Sequence, residues 1–150
     1  MAHVNPTDEQ LREILTTSRT VAMVGASSKR DRPSNGVMRI LMAAGYRVIP
    51  VSPNETSILG RKAYASLDEI PGPVDIVDVF RRAEDTPAIA EQAVKNGAKV
   101  LWLQLGIASD EAARIARENG LVAVMDTCIG KTVVRLGIKL APEQVAAESE

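Results

Sequence analysis

"VAMVGASSKRDRPSNGV", residues 21–37, decides the fold. An apolar run ends at Gly25, a polar turn follows, and a helix is expected from about Ser34. Strand, tight glycine turn and helix make the layout of a dinucleotide-binding fingerprint. The glycines do not complete it. G-x-G-x-x-G requires glycine at position 27, which is Ser27, and Gly36 comes too late. The stretch therefore poses a question: which phosphate-bearing ligand does a serine turn hold?

Working outward, five β-type runs punctuate the chain: 20–25, 46–51, 74–80, 99–105 and 121–126. They are rich in Val and Ile, and most lack apolar/polar alternation, which predicts parallel strands buried on both faces. Helical segments lie between them. "TDEQ" at 7–10 fits a capping box, Pro87 sits near a helix start, and Ser109 precedes an acidic first turn. Gly45, Gly97 and Gly120 each stand just before a strand, a helix–Gly–strand grammar that spells βαβ units. Residues 52–73 break the rhythm and predict a loop with one short helix near Ser66–Ile70, capped by Ser66 and Glu69. The fold class is α/β: a Rossmann-like, doubly wound, five-stranded parallel sheet with expected order 3-2-1-4-5. One domain is expected over 1–150, with a core at about 7–138 and a tail at 139–150.

Composition narrows the function classes. Net charge is −1 and aromatics are 3%, so neither a basic field nor a stacking surface for nucleic acid is indicated. No apolar run reaches the roughly 20 residues that cross a bilayer, so no membrane partner is expected. The first 15 residues lack a secretory pattern, and Cys128 is the sole cysteine, which together predict a cytoplasmic location. A homo-oligomer is compatible with such a sheet. His3, the one histidine, lies in an N-terminal segment expected to be mobile.

In a doubly wound sheet the ligand crevice lies outside the carboxyl ends of the strands. The residues there are Gly25–Arg30, Val51–Asn54, Phe80–Arg82, Gln104–Gly106 and Asp126–Cys128. In the first turn, Ser27 and Ser28 bring hydroxyls, Lys29, Arg30 and Arg32 bring charge, and the helix start is expected to present free backbone N–H groups. The second strand ends "VIPVSPN", with no acid before Glu55 to hold NAD ribose hydroxyls. NADP is weakened rather than excluded, because Arg61 and Lys62 follow. "GKT" at 130–132 lacks the first glycine of a phosphate loop, since position 125 is Met. Cys128 is either a small buried hydrophobe or a thiol facing the ligand. Trp102 is expected in the core or pocket wall.

Six stretches, "VAMVGASS", "GYRVIPVSPN", "ILGRKAYASLDEIP", "VDIVDVFRR", "GAKVLWLQLGI" and "DTCIGK", together carry a resemblance. Over residues 7–138 the chain resembles the single-domain coenzyme A-binding proteins of bacteria and archaea. It is similar to the coenzyme A-binding N-terminal domain of the succinyl-CoA synthetase α subunit. The resemblance implies coenzyme A or an acyl-CoA held along the strand ends. Gly25, Ala26, Ser27, Ser28, Lys29 and Arg30 would then lie near phosphates. Val51, Ser52, Pro53 and Asn54 would border the nucleotide, and Val79, Phe80 and Arg81 would line the cleft. Gln104 and Cys128 complete the expected set, with Cys128 near the pantetheine end. The phosphohistidine chemistry of the ligase does not carry over, because no second domain is visible in the sequence. The expected function is non-catalytic binding, with an NADP-dependent reductase or an acyl-CoA ligase subunit as alternatives.

Overall fold

The computed structural model describes residues 3–141. Five parallel strands form the main sheet: β1 (Thr20–Val24), β2 (Arg47–Val51), β5 (Ile76–Val79), β6 (Val100–Leu103) and β7 (Val122–Val124). A short antiparallel hairpin, β3 (Ser57–Ile58) and β4 (Arg61–Lys62), interrupts the series. Helices α1 (Asp8–Thr17), α2 (Pro33–Ala43) and α5 (Ile129–Leu136) cover one face of the sheet, and α3 (Thr86–Asn96) and α4 (Asp110–Glu118) cover the other. The α/β doubly wound class read from the sequence is thus the observed one.

Local chemistry explains the elements. Thr7 Oγ1 accepts from the Gln10 N–H at 3.2 Å while Gln10 Oε1 accepts from the Thr7 N–H at 2.8 Å, the capping box expected there. Ser109 Oγ accepts from the Ala112 N–H at 3.1 Å and starts α4. The central strands bury side chains on both faces, as their apolar runs require. Met23 and Trp102 face one helical layer, and Val77 and Leu101 the other. Trp102 is fully buried, and its indole N–H donates to the Thr127 carbonyl at 2.8 Å.

The strand order corrects one expectation. Counting only the five sheet strands, the order is 2-1-3-4-5 rather than 3-2-1-4-5. The reason lies in β2. Its outer edge is occupied by Tyr64, whose N–H donates to the Pro50 carbonyl at 3.0 Å and whose carbonyl accepts from the Ser52 N–H at 2.8 Å. The third sheet strand must therefore pair with the free side of β1, where Val21 meets Ile76. Pro50 has no N–H to give a further neighbour, so β2 suits an edge. The loop expected at 52–73 contains the β3–β4 hairpin. Its short helix is a 3-10 turn at Leu67–Glu69, without the Ser66 side-chain cap that was expected.

At the amino ends of the strands, Asp75 ties the sheet together. Its Oδ2 accepts from the backbone N–H groups of Arg19 at 2.7 Å and Thr20 at 3.1 Å, and Lys99 Nζ lies 3.5 Å from Oδ1. Burial pushes this carboxyl up, but the two N–H groups and the Lys99 charge outweigh it and hold the group below its ordinary range. The end braced by Asp75 is thus opposite the end that carries the expected ligand residues. Part of the tail expected from residue 139, positions 142–150, lies outside the described residues.

Candidate functional site

A cleft of about 980 Å³ opens at the carboxyl ends of β1, β2, β5 and β6. That is at the top of the roughly 300–1,000 Å³ range of small-molecule sites. The order reverses at β1, which has β2 on one side and β5 on the other, so the cleft sits at the topological switch point. Two loops meet there. Gly25 (φ +91°) ends β1 so close to the loop after β5 that a Cβ would stand 2.7 Å from the Phe80 carbonyl oxygen. Only glycine permits that approach.

The hydrogen bonds of the serine turn differ from the sequence expectation. The N–H groups of Gly25 and Ala26 both donate to the Val51 carbonyl, at 3.1 and 3.2 Å. The Lys29 N–H donates to Ser27 Oγ at 3.1 Å, and the Ser28 N–H donates to Glu55 Oε2 at 2.9 Å. Asn35 Nδ2 donates to the Ser27 carbonyl at 3.0 Å and fixes the turn to the start of α2. The helix start is not a row of free donors: Pro33 has none, and the Asn35 N–H turns back to the Arg32 carbonyl at 3.0 Å. Among the described residues, the N–H groups of Ser27 and Ser34 have no protein partner.

Charge is distributed unevenly around the cleft. Lys29, Arg32 and Lys131 line it and form no ion pair among the described residues. Arg81 also lines it, but its guanidinium lies 3.5 Å from Asp85. Among the described residues, Glu55 is the one carboxylate on the cleft wall. The hydrogen bonding from Ser28 and the nearby Lys29 charge hold it below its ordinary range. Arg61 and Lys62, the cations weighed for NADP, belong to β4 and do not line the cleft; Lys62 Nζ instead lies over the Tyr64 ring.

Apolar side chains line the cleft as well: Val37, Phe80, Leu105, Ile107 and the half-buried Cys128. Gln104 is buried, and its Oε1 accepts from the Ile129 N–H at 3.0 Å, so it caps α5 from inside the cleft wall. Asp126 does not line the cleft. Its φ is +55°, and its Oδ1 accepts from the Gly106 N–H at 2.7 Å, which braces the loop after β6.

Of the residues named from the sequence, Gly25, Ala26, Ser27, Ser28, Lys29, Ser52, Pro53, Asn54, Phe80, Arg81, Gln104 and Cys128 come together on the cleft. Arg30, Val51 and Val79 do not line it. Arg30 is exposed beyond the turn, whereas Val51 and Val79 point into the core between the sheet and the α3–α4 layer. Strand alternation accounts for the two valines: the residues following them, Ser52 and Phe80, reach the cleft instead. Leu105, within the span Gln104–Gly106 read from the sequence, also lines the cleft, whereas sequence reasoning passed over Val37, Glu55 and Ile107 as cleft residues. Ile107 follows a span that ends at residue 106, Glu55 lies in the loop after β2, and Val37 sits a turn into α2. His3 is not a loose tail residue: its Nδ1 lies 2.6 Å from an Arg117 guanidinium nitrogen and its Nε2 3.1 Å from Asn5 Oδ1, away from the cleft.

The family model described as "CoA binding domain" matches residues 19–133. The uncharacterized protein YneT of Bacillus subtilis (strain 168) is 44% identical over 125 residues, which span 83% of this chain and 93% of that protein. A hypothetical protein from Pyrococcus horikoshii OT3 superposes with a TM-score of 0.84 at 42% identity, covering 91% of this chain and 99% of that one. The α subunit of an ADP-forming acetate–CoA ligase I from Pyrococcus furiosus is 34% identical over 95 residues, or 59% of this chain and 21% of the subunit. The chain thus matches about a fifth of that ligase subunit and nearly the whole of the smaller relative. No helix among the described residues is long and apolar enough to cross a membrane.

Proposed function

The chain belongs to the CoA-binding domain family, and from that membership we propose that its cleft binds coenzyme A or an acyl-CoA without transforming it. One observation carries the reading: a single cleft is lined both by cations and hydroxyls, among them Ser27, Ser28, Lys29 and Arg32, and by apolar side chains, among them Phe80, Leu105 and Ile107. Coenzyme A carries both kinds of partner, with a pyrophosphate and a 3′-phosphate at one end and a pantetheine arm ending in a thiol at the other. In this reading Ser27, Ser28, Lys29 and Arg32 face the phosphates. Ser52, Pro53 and Asn54 border the nucleotide, and Phe80, Leu105 and Ile107 receive the pantetheine, with Cys128 near its thiol. Ser27 is suited to the task because its oxygen already accepts from the Lys29 N–H, which leaves its hydroxyl proton to donate.

Binding rather than catalysis is supported by the make-up of the walls. No histidine lines the cleft, and its one carboxylate, Glu55, is engaged by the Ser28 N–H. A nucleophile with an adjacent general base is absent from that set.

Isothermal titration of the full chain with coenzyme A, acetyl-CoA, NAD and NADP tests the proposal. Coenzyme A or acetyl-CoA is expected to bind at micromolar Kd or tighter, with both dinucleotides at least tenfold weaker. Tighter binding of NADP would overturn it. Ser28 is exposed on the turn, so Ser28→Glu should leave the melting temperature within a few degrees of wild type. The same change sets a second carboxylate where phosphate is expected, and coenzyme A affinity should fall tenfold or more, about 1.4 kcal/mol. Unchanged affinity would remove Ser28 from the site.

A further inference from the structure

The contact between Glu55 and the serine turn is a single hydrogen bond from the Ser28 N–H to a carboxylate oxygen. Glu55 lies in the loop after β2, and the turn follows β1, so its carboxylate bridges the mouth of the cleft. The other engaged amides of the turn are tied to permanent partners. Gly25 and Ala26 bond the Val51 carbonyl, and Lys29 bonds the neighbouring Ser27 oxygen. Ser28 alone gives its N–H to the end of a flexible side chain, at 2.9 Å. That partner is an anion, and the Lys29 ammonium lies near enough to favour its charge. A carboxylate oxygen on a backbone N–H beside a lysine is what a ligand phosphate oxygen would be in the same place.

We infer that Glu55 is an internal anion that occupies the Ser28 amide in the free protein and is displaced by a phosphate of the ligand. It is therefore an affinity- and specificity-setting residue of the cleft. This inference rests on the coenzyme A reading above. Two consequences follow from charge and hydrogen bonding. A ligand that brings no phosphate cannot replace the carboxylate and gains nothing at the Ser28 amide, so a phosphate-free fragment binds through its apolar part alone. A ligand that does bring one must first displace Glu55 and then tolerate its charge nearby, which lowers affinity below what the turn alone would give.

The test titrates coenzyme A and pantetheine into wild type, Glu55→Ala and Glu55→Gln, and records the backbone amide spectrum of each protein free and bound. Glu55→Ala should bind coenzyme A about tenfold tighter, Glu55→Gln should fall between it and wild type, and pantetheine should remain weak throughout. The Ser28 amide signal should differ between wild type and Glu55→Ala in the free state and converge when coenzyme A is bound. Coenzyme A affinity that is unchanged or weaker in Glu55→Ala overturns the inference while leaving the coenzyme A reading intact. A Gln variant indistinguishable from wild type overturns the part played by charge. Failure of all three proteins to bind coenzyme A overturns both.

Discussion

Replacing Asp78 with valine should stabilise the protein by about 2 kcal/mol or more at pH 7, raising the melting temperature by roughly 4–8 °C. Asp78 lies in the middle of β5, the central strand, and is fully buried. Among the described residues, neither carboxyl oxygen has a hydrogen-bond partner. Its register neighbours are Met23 on β1 and Trp102 on β6, and neither side chain offers a charge. Burial of an uncompensated carboxyl costs more than a hydrogen bond returns, and here there is no bond to return anything. Valine has similar bulk and favours a strand buried on both faces.

The same site gives the molecule a pH dependence of defined sign. Burial pushes the Asp78 carboxyl well above its ordinary range, so the folded state holds a proton that the unfolded chain releases. The contribution to stability is therefore most favourable below the ordinary carboxyl range. It is lost as pH rises from there to the folded-state value, at about 1.4 kcal/mol per pH unit. Urea unfolding at a series of pH values above the ordinary carboxyl range should show wild type losing stability as pH rises, until the folded-state value is passed. Asp78→Val should flatten that slope, and Asp78→Asn, which cannot ionise, should flatten it with a smaller gain in stability. Asp75 has the opposite, lowered shift, so its contribution is present above the ordinary carboxyl range and lost as pH falls below it, outside the window tested. A wild-type slope that persists in Asp78→Val would show that Asp78 is not its source.

Asp78 also marks how far the sequence could be read. "VDIVDVF" reads as a buried parallel strand, and it is one, but the acid within it passed without notice. A charged residue centred in an apolar run was a visible signal; what it faces was not, because its neighbours come from β1 and β6. The strand order was in part within reach in the same way. Pro50 lacks the N–H that an interior strand needs, a visible signal that β2 suits an edge, whereas the pairing of the third sheet strand with β1 depends on contacts that are distant in sequence. The carboxyl ends of the strands were legible because βαβ grammar fixes where chains leave a sheet, and most of the residues named there do meet on one cleft. Val37, Glu55 and Ile107 were not legible. They reach the cleft through a loop path and a helix face that local sequence does not determine. The apolar lining was therefore legible only in part, through Phe80, Leu105 and Cys128.

Gly25→Ala should be the most damaging single-methyl change in the molecule, because it disrupts the junction on which both halves of the cleft depend. Two costs combine. The residue has φ +91°, where an L side chain is strained by about 1–2 kcal/mol. The added Cβ would also stand 2.7 Å from the Phe80 carbonyl oxygen, 3.1 Å from its carbon and 3.2 Å from Arg81 Cδ. Two of those three atoms are backbone, so relief requires the loops after β1 and β5 to separate. Gly60 supplies the control: its φ is +78°, yet nothing lies within 4 Å of its Cβ position. Gly60→Ala should therefore cost only the backbone strain, about 1 kcal/mol, and leave coenzyme A titration unchanged. Gly25→Ala should cost about 2–4 kcal/mol in urea unfolding. It should also lower coenzyme A affinity at least a hundredfold, because Ser27 and Phe80 can no longer face each other across the same gap. Equal losses of stability in the two variants would mean that the crowding at Phe80 is not what holds position 25 to glycine. Intact binding in Gly25→Ala would mean that the ligand does not lie where the loops after β1 and β5 meet.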